Sequence, residues 1–268
     1  MLKMKTINII ILILVLFIDT INAQIMVAPS HIEVYGEKGA LREGYFTVFN
    51  NGDKEAGITI NLRKWKYTKG NDDLKVSDWL KVEPIDFIIP PHSKKFVKYS
   101  VTIPENLYGE MSAMVGFRLK GKGSIVQQIS IALYVRCIET SIIKGEIESV
   151  SFVTNYPLMY NKSESRFYIL KIKLKNLGNV HLRPKGDVVI KDREGNIVSN
   201  LKIRYGGVVF PGKEKFYYTS KLNQNLKDGL YTAVATMKYL DVPIKSKCIK
   251  FKVNNNKIYQ VVEEKFSK

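Results

Sequence analysis

Ser124–Ile138 reads S-I-V-Q-Q-I-S-I-A-L-Y-V-R-C-I and predicts one long β-strand. Its alternate positions from Ile125 to Cys137 form the more apolar face, and the positions between them form a smaller, more polar face. A period of two that is rich in β-branched residues is typical of a strand. At about 15 residues, the stretch exceeds the usual strand length. We therefore expect it to be the last strand of an N-terminal β-domain, to border its sheet, and to carry the function.

Turn pairs and alternating apolar runs recur along the chain and predict an all-β protein. Strands at intervals of roughly 8–15 residues favour immunoglobulin-like sandwiches. Ile89–Phe96 and Phe210–Phe216 are similar proline-centred segments, and each is followed by a Leu-Tyr pair and an alternating strand. This repeat predicts two sandwich domains in tandem after a signal peptide. The expected boundaries are 24–140 for the first domain, 145–254 for the second and 255–268 for a polar tail.

Several local patterns make narrower predictions. Met26–Tyr35 is expected to be one continuous strand, and Asn50–Asp53 is a strong hairpin signal. Asp192–Asn196 predicts the turn of a second hairpin. Tyr231 follows a glycine turn, so it is either a tyrosine corner, with its hydroxyl bonded back to the loop, or an ordinary buried tyrosine.

The amino terminus has the pattern of a secretory signal peptide. Lys3 and Lys5 precede an apolar run from Ile7 to Ile18, and a polar segment then ends at Ala23. Cleavage after Ala23 is expected, which makes 1–23 the signal peptide. An uncleaved anchor is the alternative, and it would be the only contact with a membrane. Both readings place the protein in the periplasm, another extracytoplasmic space or the cell surface.

The formal charge of +17 raises the question of nucleic-acid binding. The lysines are spread over both halves and form no basic block interleaved with stacking aromatic residues, so no nucleic-acid partner is expected. Affinity for anionic cell-surface polymers or for acidic partner proteins stays open.

The sequence contains no motif that predicts catalysis, a cofactor or a metal. His31, His92 and His181 are far apart and lack ligand spacing. The two cysteines, Cys137 and Cys248, either form a disulfide in an oxidising compartment or remain as two buried thiols. We expect a protein that is not an enzyme and has no cofactor.

Three segments resemble periplasmic pilus-assembly (PapD-like) chaperones. Pro29–Tyr35 is similar to their first strand, Phe87–Lys98 to their proline-centred segment and the strand after it, and Gln128–Arg136 to the long last strand of their first domain. The two-domain layout also resembles WxL-interacting surface proteins, on Ile89–Pro90, on Pro104–Gly109 and on the repeat after Pro211.

The chaperone resemblance implies donor-strand complementation, in which the long strand lends apolar side chains to an incomplete subunit. The side chains that the pattern offers are Ile125, Ile129, Ile131 and Leu133. They either enter a partner's groove or form this domain's own core.

The same family holds a partner's terminal carboxylate with an arginine of the first strand and a lysine of the last. Matched by strand ends, these positions are His31 and Ala132 here, and a neutral histidine and an alanine bind a carboxylate poorly or not at all. Arg118 and Arg136 are the candidates to take over this role.

These observations predict an exported chaperone-like protein that binds other exported subunits, pilin-like or surface proteins, by β-strand addition and assists assembly of a pilus or surface structure. The alternative is a structural or adhesive cell-surface module that binds proteins or anionic wall polymers.

Overall fold

The structure, a computed structural model, describes residues 25–65, 71–121, 127–154, 168–204, 206–222, 226–255 and 257–261. The predicted signal peptide and Ile125 lie outside these ranges. The chain forms two compact units. The first comprises the chain up to Val34, Gly39–Glu105 and Met111–Val135, and the second comprises Tyr35–Lys38, Asn106–Glu110 and Arg136–Lys268. Nearly all regular structure is β, so the predicted all-β class is confirmed.

The first unit is built on two sheets. Its strands are β1 (Ile25–Ala28), β2 (His31–Gly36), β3 (Leu41–Asn50), β4 (Ala56–Lys64), β5 (Leu80–Glu83), β6 (Asp86–Ile89), β7 (Ser93–Thr102), β8 (Glu110–Leu119) and β9 (Gln128–Cys137), with one helical turn, α1 (Val76–Trp79). One sheet has the order β1-β3-β7-β5 and the other the order β2-β9-β8-β4-β6. The buried side chains include Phe46, Val48, Ile58, Val97 and Phe117.

The predicted first strand is two strands that belong to different sheets. β1 pairs with β3 in one sheet, whereas β2 pairs with β9 in the other. Pro29 stands between them, and a proline has no N–H with which to continue a ladder. Met26–Tyr35 is therefore not continuous, although its alternation is regular on both sides of the break.

The turn after β3 is a corner between the two sheets, so the predicted hairpin at Asn50–Asp53 is wrong. β4 pairs with β6 and β8 rather than with β3. The buried Asn50 side chain organises the corner by donating to the carbonyls of Lys54, Ile89 and Pro90 at 2.8, 3.1 and 3.0 Å, and its Oδ1 accepts from Gly52 N at 3.0 Å. These long-range hydrogen bonds outweigh the preference of Asn50–Asp53 for a hairpin turn.

The second unit is one eight-stranded sheet that curls on itself. Its strands are β10 (Gly145–Thr154), β11 (Tyr168–Asn176), β12 (Lys185–Lys191), β13 (Ile197–Lys202), β14 (Glu214–Tyr218), β15 (Gly229–Tyr239), β16 (Val242–Asn254) and β17 (Lys257–Val261). The order is β13-β12-β15-β16-β10-β11-β14, and β17 pairs with β16. An isolated bridge joins Ile203 to Thr219, next to the ends of β13 and β14. The inner faces enclose a core that includes Leu170, Ile172, Val188 and Phe251.

Asn176 repeats in this unit the arrangement of Asn50. Its side chain donates to the carbonyls of Val180 and Val209 at 2.8 and 2.9 Å and accepts from Gly178 N at 2.9 Å. Both asparagines belong to an Asn-x-Gly sequence. The Asn50 side chain binds carbonyls of the proline-centred segment of its unit, and the Asn176 side chain binds the carbonyl of Val209, directly before that segment in the second unit. The similarity between the two halves thus extends from sequence to a shared buried corner.

Two local predictions in the second unit are confirmed and one is corrected. β12 and β13 form the expected hairpin. The Tyr231 hydroxyl donates to Lys227 O at 2.8 Å, as in a tyrosine corner. The expected polar tail from residue 255 instead starts with a strand, because Asn255, with φ of 49°, turns the chain so that β17 pairs with β16.

Neither cysteine alternative describes the structure fully. Cys137 and Cys248 are both free thiols; Cys137 is buried, whereas Cys248 is exposed. Cys248 pairs across strands with Val234 on the outward face of β16, so the expected burial of both thiols applies only to Cys137.

Charged residues on the outward face of β10, β11 and β14 neutralise one another. Lys173 Nζ lies 2.9 Å from a Glu148 carboxylate oxygen and 2.6 Å from one of Glu214, and Lys175 contacts the same two glutamates. The hydrogen bond from Lys173 lowers the pKa of Glu148, and those to Glu214 and Glu148 raise the pKa of Lys173.

This network predicts a pH-dependent contribution to stability. The pKa of Glu148 is lowered from 4.5, so its contribution is full above that value and is lost as the pH falls through the lower, folded-state pKa. The pKa of Lys173 is raised from 10.5, so its contribution is full below that value and is lost at higher pH. Urea unfolding of Glu148→Gln should show a weaker loss of stability below pH 4.5 than the wild type. An unchanged acid dependence would contradict this.

Candidate functional site

β9 lies inside its sheet and not at its border. The strand order places it between β2 and β8. β8 follows it along its whole length, because hydrogen bonds join Leu119 N to Gln127 O at 3.0 Å and Cys137 N to Gly109 O at 2.9 Å. The prediction that this strand borders the sheet is therefore wrong where β2 covers it.

β2 covers only the second half of β9. It has 6 residues against the 10 of β9, and Ile138 N, just past the end of β9, donates to O of Gly36, the last residue of β2, at 2.9 Å. Because both strands end at this bond, they run in the same direction, and His31 at the start of β2 comes to lie beside Ala132. The chain before His31 turns into the other sheet as β1. In the described part of the chain, the start of β9 therefore has a sheet partner on one side only.

The uncovered edge exposes the backbone of Gln128 and Ser130. In an antiparallel ladder the N–H and C=O groups of alternate residues point to opposite sides of a strand. The bonds at Gln127 and Cys137 show that odd-numbered residues of β9 face β8. Even-numbered residues thus face the other side, which β2 occupies from Ala132 onward. Gln128 and Ser130 can accept a further strand there.

The four isoleucine and leucine side chains predicted to contact a partner are divided between core and surface. Ile131 and Leu133 are 3% and 0% exposed within this unit's core. Ile129 is half-buried at the uncovered end, and Ile125 is outside the described residues. As partner contacts they stay predictions, and Ile129 is the one that the described structure leaves within reach.

The predicted anchors are also separated. His31 is exposed beside Ala132, and its Nδ1 lies 3.4 Å from Ser30 Oγ. Arg118 is exposed on β8, where the β8–β9 register places it opposite Gln128. It thus shares the outward face with the uncovered edge.

Arg136 lies in the second unit and is buried. Its guanidinium contacts Glu110 Oε2 at 3.4 Å and donates to the Tyr239 hydroxyl at 2.8 Å. A guanidinium bound in this way is not presented to a partner's carboxylate, so Arg118 is the better placed of the two arginines.

A row of side-chain amides beside the uncovered edge was not anticipated. Asn61 Nδ2 donates to Gln128 Oε1 at 3.1 Å, and Gln128 Nε2 donates to Ser130 Oγ at 2.9 Å. Among the described residues, the buried Asn61 Oδ1 has no hydrogen-bond partner. A Cβ at Gly116 would stand 2.3 Å from this oxygen, so only glycine leaves room for the row. A glycine inside a strand was the available signal.

This geometry suits recognition of an extended backbone. Within the described residues, it combines two pairs of backbone N–H and C=O groups with no strand partner, a half-buried Ile129, an amide oxygen with no hydrogen-bond partner, and an arginine on the outward face. None of the helices in the described ranges is long and apolar enough to cross a membrane. Those ranges also bring no three His, Cys, Asp or Glu side chains together as a metal site.

Comparison with known proteins finds similarity in structure only. No family model matches the sequence, and no curated protein matches it significantly. The class 5 fimbriae chaperone CfaA has 14% identity and a TM-score of 0.46, covering 90% of this chain and 100% of its own. The CsuC–CsuE chaperone–subunit complex of Acinetobacter baumannii gives 16% identity and a TM-score of 0.39, with 85% and 98% coverage. The CupB2 chaperone of Pseudomonas aeruginosa gives 9% identity and a TM-score of 0.39, with 88% and 98% coverage.

Proposed function

We propose that this protein is an exported, non-catalytic binding protein that captures other exported subunits by adding a partner strand beside Gln128 and Ser130, and so assists assembly of a pilus or other surface structure. The observation that carries the proposal is the uncovered first half of β9. The backbone supplies affinity, as in other cases of strand addition, and neighbouring side chains supply selectivity. The site would lie in the periplasm or another extracytoplasmic space, after removal of 1–23.

Apolar side chains of β9 are proposed to contribute less to partner binding than donor-strand complementation implies. Ile131 and Leu133 already fill this unit's core, so they cannot also enter a partner's groove without unfolding their own unit. Ile129, which is only half-buried, remains available. A partner's carboxylate, where one is present, would meet Arg118 rather than the His31 and Ala132 pair.

Ser130→Pro tests the proposed edge directly. Its N–H points away from β8, so the substitution removes a donor for a partner strand and breaks no bond to β8. We expect capture of exported subunits from the native host to fall at least about tenfold, as one lost backbone bond and a steric block at the edge predict. The measurement is the amount of subunit co-purified with equal amounts of folded protein.

Ser130→Ala is the matched control, because it removes the hydroxyl and keeps the N–H. Capture by this variant should stay within about twofold of the wild type. Unchanged capture by a folded Ser130→Pro protein would show that the strand does not pair with partners at this edge. Amide hydrogen exchange is a second, independent measurement. The Ser130 amide should exchange fast in the free protein and slowly in a complex.

A further inference from the structure

The two outward faces of the second unit differ in charge balance. On β10, β11 and β14, lysines are matched by glutamates, as described above. β12, β13, β15 and β16 carry eight exposed lysines and only one acidic residue, Asp187. The lysines are Lys185, Lys191, Lys202, Lys238, Lys245, Lys247, Lys250 and Lys252, and Lys245 pairs with Glu146 of β10. The excess of positive charge is thus localised on one face rather than spread evenly over the unit.

A concave site lies within this cationic face. A cavity of about 540 Å³ is lined by Lys185, Lys202, Lys238 and Asp187, with Thr236 at its side. A bulge in the pairing of β15 with β16 falls at Thr236, and bulges are frequent next to functional sites. Lys202 binds Asp187 at 2.8 Å, and Lys238 lies 3.4 Å from the exposed Asp241.

Two of these lysines are placed against the usual rule for strand pairs. Lys185 and Lys238 are directly opposite on β12 and β15. Like charges in this position destabilise a sheet. An unfavourable pair of like charges at the rim of a cavity indicates a binding site, because a ligand of opposite charge would relieve the repulsion between Lys185 and Lys238.

The composition of the face favours a phosphate polymer over a protein. Lysine is depleted at protein interfaces, whereas aromatic residues and arginine are enriched there. The outward positions of these four strands, within the described residues, include no aromatic residue and no arginine. Ammonium groups bind phosphate as point charges and need no fixed fork geometry, which suits a flexible chain of phosphates.

We infer that this face of the second unit binds a phosphate-bearing anionic polymer, with Lys185, Lys202 and Lys238 as its centre. The site belongs to the second unit, whereas the proposed strand-addition edge belongs to the first, and it does not depend on that function. Binding is electrostatic and weakens steeply with added salt.

The test is binding of linear inorganic polyphosphate to the full chain at about 0.15 M salt, the physiological ionic strength. The triple variant K185Q/K202Q/K238Q should lose at least about tenfold in affinity, as expected when three lysines near an anionic surface are removed. The control K54Q/K81Q/K95Q has the same change in net charge at exposed sites in the first unit and should lose less than about twofold.

Several results would overturn the inference. Equal losses in the two triple variants would show that net charge alone attracts the polymer. Equally tight binding of polyglutamate would show that the face selects acidic proteins rather than phosphate. Absence of binding by the wild type would also exclude the site. The K185Q/K202Q/K238Q protein should melt close to the wild type, because it loses the surface ion pairs Lys202–Asp187 and Lys238–Asp241, which contribute little, and also loses the repulsion between Lys185 and Lys238. Its melting temperature is measured beside the binding, so that lost binding is distinguished from unfolding.

Discussion

Glu110→Ala is expected to lower the free energy of unfolding by about 3–5 kcal/mol, the usual cost of removing one partner from a buried ion pair. The Glu110 carboxylate accepts from His181 N at 3.2 Å and lies 2.7 Å from His181 Nδ1, and it also contacts Arg136. Both side chains of the Glu110–Arg136 pair are below one-tenth exposed. Without the carboxylate, the arginine stays buried with an uncompensated charge. Urea unfolding at neutral pH measures the loss.

Tyr239→Phe is the matched control for this cluster. It keeps the ring, which stands 5.3 Å from the Arg136 guanidinium carbon, and removes the hydroxyl that accepts from Arg136 at 2.8 Å. The expected cost is about 1.5–3 kcal/mol, typical of a hydrogen bond to a charged group. A loss below about 1 kcal/mol for Glu110→Ala would contradict the view that this carboxylate balances the buried arginine.

Asn176→Ala is expected to cost about 2–4 kcal/mol. Its side chain satisfies two carbonyls and one N–H inside the second unit, and each buried group left without a partner costs about 1–3 kcal/mol. Asn50→Ala should have a similar effect in the first unit, because its corner is built in the same way. The measurement is again urea unfolding.

Asn200→Ala is the control for the asparagine corners. Asn200 is exposed on β13, so its loss should change stability by less than about 0.5 kcal/mol. If Asn176→Ala lowered the free energy of unfolding no more than Asn200→Ala does, the corner would not stabilise the second unit. The similar hydrogen bonds of Asn50 could then not be taken to stabilise the first unit.

Element type was predictable from the sequence because it depends on local periodicity. The alternation of Ser124–Ile138 predicted a strand, and the described structure has one at Gln128–Cys137. The hairpin around Asp192 followed from turn residues in sequence. The break at Pro29 and the corner at Asn50 did not follow. In both cases a contact with a distant strand, or with the carbonyls of Ile89 and Pro90, decides which sheet the chain enters next.

In the candidate site, too, the sequence predicted the strand but not its contacts with distant residues. The sequence selected β9, on which binding is now proposed, but it treated the whole strand as an open border, whereas β2 covers its second half. It proposed Arg118 and Arg136 as equivalent anchors, and only the tertiary contacts of Arg136 with Glu110 and Tyr239 separate them. Asn61 and Gly116 were missed because each is unremarkable until β4, β8 and β9 are brought side by side.

By itself, the sequence determined the all-β class, the repeat of two similar halves and the segment in which binding is proposed. Each of these depends on residues close together in the chain, where period and turn chemistry act. The tertiary structure decided which part of β9 is covered, which polar groups are buried together and which face of the second unit keeps its positive charge. Those outcomes depend on which strands become neighbours, and hydrogen bonds and charges between distant residues settle that only in the folded protein.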